Sequence, residues 1–300
     1  MTLLVIGSIA FDTIETPAAK REHILGGSAP YFTYAASFFG PVQMVGVVGD
    51  DWPEEYTEMF RKQGIDVSGL EIVPGGKTFR WSGKYHENMN DRDTLDTQLN
   101  VLGHFQPKLP EVFRRAQFVF LANGAPSTGL AALEQIQGAD LVVADTMNLW
   151  IDIARKDLDV LLKRVDGLVL NDSEAKMLTG ELNMITAAKK ILNLGPKFVV
   201  VKKGEHGSLF VSEYEIYLVP AFPTEKVLDP TGAGDSFAGG MMGYIASRGN
   251  LDSETIKNAL VYGTLVASFC VEGFGLDRYK EINREEIDRR LGLFRKMASF

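Results

Sequence analysis

Asp229-Pro-Thr-Gly-Ala-Gly-Asp235-Ser-Phe-Ala-Gly-Gly-Met-Met242 is the stretch on which the reading of this 300-residue chain turns. A glycine-rich turn runs straight into a helical pattern. Several backbone N–H groups therefore gather at a helix N-terminus, where unpaired donors and the helix dipole attract an anion. The segment reads as a phosphate cradle. It lacks the Lys and Ser/Thr of a P-loop, and Gly7-Ser-Ile-Ala-Phe-Asp12, after the first apolar run, is not a dinucleotide fingerprint. A nicotinamide-dependent oxidoreductase is disfavoured on that ground. Asp235 is the oddity, because a carboxylate inside an anion cradle repels phosphate unless its charge has a use. One use is to accept a proton from a hydroxyl attacking that phosphate; the alternative is a helix cap.

Outward from the cradle, short apolar runs alternate with helical stretches: Leu3 to Ile6, Val45 to Val48, Phe118 to Leu121, Leu141 to Ala144, Leu168 to Leu170 and Phe198 to Val201. Runs without strict alternation suit strands covered on both faces, so the expected fold is α/β: a doubly wound, mostly parallel sheet flanked by helices. Helix starts are expected at Asp51-Trp-Pro-Glu54, with a stop at Gly64, and at Asp252-Ser-Glu254. Between Thr78 and Tyr85 the period changes to two, with Phe79, Trp81 and Tyr85 on one face and Arg80, Ser82 and Lys84 on the other; Thr97 to Leu102 alternates similarly. Residues 12–24 and 71–103 are therefore expected to form a small β-sheet standing off a single domain of residues 1–300. It is either a lid or a peripheral hairpin.

Composition narrows the function. With 45% apolar and 23% charged residues the chain is an ordinary globular protein, and its formal net charge of −8 comes without any basic run, so nucleic acid is an unexpected partner. No stretch approaches the ~18 consecutive apolar residues of a membrane span. Cys270 is the single cysteine and the N-terminus lacks a basic signal region, which gives a reducing cytoplasm as the expected location. The four histidines and Cys270 show no zinc spacing.

The Asp229–Asp235 segment closely resembles the C-terminal signature of the ribokinase-like carbohydrate kinases, the PfkB family. Gly7 to Asp12, Gly26-Gly27, Asn171-Asp-Ser-Glu174 and Lys203-Gly-Glu-His-Gly207 follow in that family's order, so the resemblance spans nearly the whole chain. It implies an ATP-dependent kinase that moves the γ-phosphoryl group to a primary hydroxyl of a sugar or nucleoside. Asp235 is then the catalytic base, and the amides of Gly232, Ala233, Gly234 and Asp235 form an anion hole. Thr231, Gly232, Gly234, Asn171, Lys203, Gly204 and Gly207 line the nucleotide, and Glu174 orders water around Mg²⁺. Asp229 and the Thr231 carbonyl become a candidate monovalent-cation (K⁺) loop, with residues 271–275 as its second side. Asn171 and Glu174 equally fit a capping box, and the glycines of 203–207 equally fit a hairpin.

For the acceptor, Asp12 matches the position of a carboxylate that holds sugar hydroxyls, beside Gly26 and Gly27, although a turn Asp is the plainer reading. Tyr31 stands where the family commonly has a sugar-binding Asn. Tyr31, Phe79 and Trp81 are candidate stacking surfaces for a flat base, or else core of the lid. A homodimer through the lid is an expected assembly. The rival function is a catalytically inactive sugar- or nucleotide-binding sensor on the same fold.

Overall fold

The structure is a computed structural model that describes residues 1–298. Its strands are β1 (Leu3–Ile6), β2 (Ala10–Glu15), β3 (Lys20–Gly26), β4 (Val42–Gly49), β5 (Ile65–Val73), β6 (Phe79–Tyr85), β7 (Arg92–Gln98), β8 (Phe118–Leu121), β9 (Leu141–Asp145), β10 (Gly167–Asn171), β11 (Phe198–Lys202), β12 (Ser208–Ser212) and β13 (Ile216–Val219). Its helices are α1 (Ser28–Ser37), α2 (Glu54–Lys62), α3 (Pro126–Leu133), α4 (Asn148–Ile153), α5 (Arg155–Leu162), α6 (Asp172–Thr179), α7 (Met184–Leu192), α8 (Ala233–Arg248), α9 (Ser253–Cys270) and α10 (Arg284–Ala298).

Nine strands form one sheet in the order β13-β12-β11-β10-β9-β8-β1-β4-β5. Pairing is parallel from β11 to β5 and antiparallel for β11–β12 and β12–β13. The apolar runs behave as strands covered on both faces. Leu3 and Val5 join a core with α1, α8 and α9, whereas Leu4 and Ile6 join a second core with α3, α5, α6 and α7. Both expected helix starts are present: α2 carries Glu54 and Glu55 in its first turn, and the Asp252 side chain caps α9 by accepting the Thr255 N–H at 2.7 Å. Among the described residues no helix is long and apolar enough to cross a membrane.

From β1 the chain moves outward to β4 and β5, then returns to β8 and proceeds the other way. The order of the sheet thus reverses between β1 and β8, the place where the carboxyl ends of strands part to leave a crevice. Ser8 and Ser28 close its floor: the Ser8 N–H donates to Ser28 Oγ and the Ser28 N–H to Ser8 Oγ, both at 3.1 Å, while Ser28 Oγ reaches the Asn123 carbonyl at 3.0 Å.

The small sheet has the order β3-β2-β6-β7, antiparallel except for β2–β6. Its extent differs from the sequence reading. Residues 71–73 complete β5 in the main sheet, and the alternation from Thr97 stops at Gln98, after which Asn100–His104 is a 3-10 helix. The Asn100 side chain donates to the Thr78 carbonyl at 3.0 Å and the Val101 N–H to Lys77 at 3.2 Å, drawing the chain back to the main body. All seven residues of β7 are exposed, so the half-buried pattern expected there is absent.

Candidate active site

The glycine-rich segment reaches α8 through a turn in which the Ala233 N–H donates to the Pro230 carbonyl at 3.1 Å. That bond takes Ala233 out of the expected set of open amides. Among the described residues, the N–H groups of Gly232 and Gly234 donate to no protein group. Gly232 has φ +76° and lies flat on the Tyr31 ring, so a side chain there would meet both strain and the ring. Tyr31 is 1% exposed in consequence: it supports the cradle from beneath and presents no free face for a base, contrary to its reading as a stacking surface.

Asp235 lies in the first turn of α8, which begins at Gly232 without any side-chain cap, so the capping alternative is not what forms. Burial, and then the charge of Asp145, lift its pKa to about 7 against the pull of Lys202 and Arg92. Lys202 ends β11 beside Gly234, its Nζ 2.8 Å from Asp145 Oδ2 at the end of β9. Burial opposes the lysine's charge, but Asp145, Glu174 and Asp235 outweigh it and hold the ammonium above the ordinary lysine range. The ends of three parallel strands thus deliver Asp145, Asn171 and Lys202 to one crevice.

Asn171 and Glu174 form the capping box: the Glu174 N–H donates to Asn171 Oδ1 at 2.8 Å and the Asn171 N–H to Glu174 Oε2 at 2.6 Å. Glu174 nevertheless belongs to the crevice, because burial brings its pKa to about 7 with Lys202 and Asp145 acting in opposite senses. Lys203, Gly204 and Gly207 make the tight turn of the β11–β12 hairpin, closed by Lys203 N–H to Gly207 O at 2.8 Å. The lysine facing the cradle is Lys202, its neighbour.

On the other side, Asp12 is 4% exposed and its carboxylate sits where any side chain at Gly26 would be; Gly27 follows at φ +90° before α1. Burial, then Asp229 and Asp235, raise the pKa of Asp12 to about 8. Asp229 is fully buried, with Oδ1 accepting the Thr231 N–H at 2.9 Å and Oδ2 without a partner. The segment 271–275 does border it: the Leu228 and Asp229 N–H groups donate to the Val271 carbonyl, while the Thr231 carbonyl takes the Cys270 thiol at 3.4 Å. The small sheet covers this side. The Thr231 hydroxyl donates to Tyr85 Oη at 3.0 Å, and Trp81 packs with Tyr85, Ile14 and Phe274 in a small core of its own; Phe79 is half-buried and outside that core. Arg80 and Lys84, on the opposite face, are paired with Asp51 and Glu15.

Residues 2–281 match the family model described as pfkB family carbohydrate kinase. The chain belongs to that family. Within this family it is similar to a cytidine kinase of Thermococcus kodakarensis, 31% identical over 87% of this chain and 94% of the relative. Among solved structures it resembles a Burkholderia thailandensis nucleoside kinase in complex with inosine, with a TM-score of 0.78, 20% identity and 99% of each chain covered. It also resembles an E. coli putative ribokinase II in complex with ATP and Mg²⁺, with a TM-score of 0.79, 20% identity and coverage of 97% and 99%. The pfkB chain is thus a phosphotransferase with an alcohol acceptor, on the ribokinase-like fold expected from its sequence. Lys202 and Asp145 are crevice residues that sequence reasoning missed. The signal for both is a lone charged residue directly after an apolar strand run, at Ala144-Asp145 and Val201-Lys202.

Proposed function

We propose that the protein transfers the γ-phosphoryl group of ATP to a primary hydroxyl of a nucleoside or of a sugar, with Asp235 as the general base. The observation that carries this is the placement of Asp235: a half-buried carboxylate with a pKa of about 7 in the first turn of a helix whose preceding loop offers open amides. A base poised near neutral pH takes the acceptor's proton as its oxygen attacks phosphorus and ADP leaves, so the proton ends on Asp235. The amides of Gly232 and Gly234 receive the charge that develops on the transferring oxygens, already oriented and shielded from water. Asp12 orients the acceptor by accepting hydrogen bonds from a diol, for which its two oxygens suit a ribose. The small sheet acts as the lid that excludes water through the Tyr85–Thr231 contact.

Asp145, Glu174 and Asp235 outnumber the one lysine among them, a charge balance that fits Mg²⁺ held through waters by Glu174 and by the nucleotide phosphates; the ion would neutralise phosphate charge. The unpartnered Asp229 Oδ2 fits a monovalent cation such as K⁺, which would hold the cradle's turn in place. The similarity to a cytidine kinase favours a nucleoside acceptor. The aromatic rings favour it less than the sequence suggested, because Tyr31 of α1 is buried beneath the cradle and Trp81 of the small sheet packs against a core.

The test is ADP release from ATP and Mg²⁺ with cytidine, inosine, ribose and fructose. At least one acceptor is expected to be phosphorylated at a rate that falls as pH drops through about 7, where Asp235 is protonated. Asp235→Asn should cut kcat by about a hundred- to ten-thousandfold. Acceptor binding without turnover in the wild-type protein would instead favour the inactive sensor.

A further inference from the structure

Arg92 opens β7 and stands opposite Tyr85 in the antiparallel register, so both side chains leave the same face of the small sheet. Tyr85 fixes where that face points, because its Oη takes the Thr231 hydroxyl of the cradle. The guanidinium lies over the Trp81 ring, 5.5 Å from its centroid, which supports the side chain from behind. Two residues earlier the hairpin touches the opposite wall: Asn90 Nδ2 donates to Glu205 Oε1 at 3.3 Å, on the β11–β12 turn. Arg92 is therefore held between two contacts that span the crevice, one to the cradle and one to the turn after Lys202.

Its guanidinium also hydrogen-bonds the Tyr85 hydroxyl, but its charge has no acidic partner. Lys202 is tied to Asp145 at 2.8 Å, Arg80 to Asp51 at 2.9 Å and Lys84 to Glu15 at 2.6 Å, whereas no carboxylate among the described residues lies within ion-pair distance of Arg92. Burial raises Asp12, Glu174 and Asp235, and the positive charge of Arg92 offsets part of the rise at all three. A cation that influences both the acceptor side and the donor side, and that is bound to neither, stands between them.

We infer that Arg92 is a catalytic residue carried in by the hairpin, whose guanidinium binds the phosphoryl group while it is in transit. The inference rests on the kinase reading above. As the acceptor oxygen–phosphorus bond forms and the bond from phosphorus to the bridging oxygen of ADP breaks, the acceptor proton passes to Asp235. The two N–H groups of Arg92 meanwhile donate to non-bridging oxygens that neither gain nor lose a bond. A planar guanidinium matches two phosphoryl oxygens at once, which an ammonium cannot do. Its position on the hairpin makes transfer conditional on closure, so water admitted to an open site meets no assembled catalyst.

Arg92→Met and Arg92→Lys test this on an exposed strand where neither change threatens folding. Wild-type turnover with cytidine, inosine, ribose or fructose is read first; with none phosphorylated, the kinase reading fails and this inference with it. Given turnover, Arg92→Met should lower kcat by about a hundred- to a thousandfold with ADP affinity unchanged, and Arg92→Lys should recover only part. ADP with aluminium fluoride and the working acceptor, a mimic of the group in transit, should bind the Met variant more weakly by a similar factor in calorimetry. A Met variant that keeps kcat within about threefold and binds the mimic as tightly as wild type overturns the role of Arg92 and leaves the kinase reading standing.

Discussion

At the scale of single residues, the site is expensive to fold because it buries carboxylates whose charge it needs. Asp12 shows this most plainly. Its pKa is 3.8 when unfolded and about 8 when folded, so between those values the native state holds a proton that the unfolded chain has released. Stability therefore falls as pH rises from about 4 to about 8, then levels. Asp12→Asn keeps the shape and removes that slope. In the absence of ligand its melting temperature should exceed the wild type's by a few degrees at pH 8 and converge with it near pH 4, while acceptor turnover is lost. A wild type as stable as the variant at pH 8 would show that Asp12 is solvated in the free protein. Asp12 and Asp235 could be singled out because each sits in a short motif that matches the family's pattern; local chemistry alone left a turn Asp and a helix cap as the plainer readings. Lys202 and Asp145 could not be: they are 57 residues apart and meet only because β9 and β11 run parallel on either side of β10. Tyr31 failed differently, since its aromatic character was readable but the glycine that presses on it is 201 residues away in the chain, from Tyr31 to Gly232.

At the scale of elements, the β6–β7 hairpin carries the argument. Its link to the cradle is one neutral hydrogen bond, from the Thr231 hydroxyl to Tyr85 Oη, inside a small apolar core. Tyr85→Phe keeps the core and deletes the bond. The acceptor KM should rise about two- to tenfold, the equivalent of one such bond, and ATP hydrolysis without acceptor should increase because closure is less secure. Unchanged values for both would mean that the contact does not govern closure. The hairpin was half legible. Alternation marked β6 as a strand with one covered face, but β7 has no covered face, so hydrophobic periodicity carries no information there. The main sheet was easier because burial on both faces forces continuous apolar runs. β13 escaped notice because it is an edge strand with Ile216 and Leu218 exposed.

At the scale of the whole molecule, two cores grip the main sheet, and β2 and β3 of the small sheet join one of them through Phe11 and Leu25, whereas the β6–β7 hairpin touches the rest through few groups. Cytidine or another working acceptor together with a non-hydrolysable ATP analogue should slow amide exchange in β6 and β7 and leave β1, β8 and β9 unaffected, since these already have fully covered backbones. Equal protection everywhere would point to a general tightening rather than to hairpin closure. The Asn90–Glu205 bond has a kinetic corollary for traffic through the crevice. Because a single finger of chain rests on both banks, it cannot be raised over one bank alone. On the proposed kinase reading, entry and departure for the two reactants would share one doorway, and the time that doorway takes to swing would set a ceiling on cycles per second.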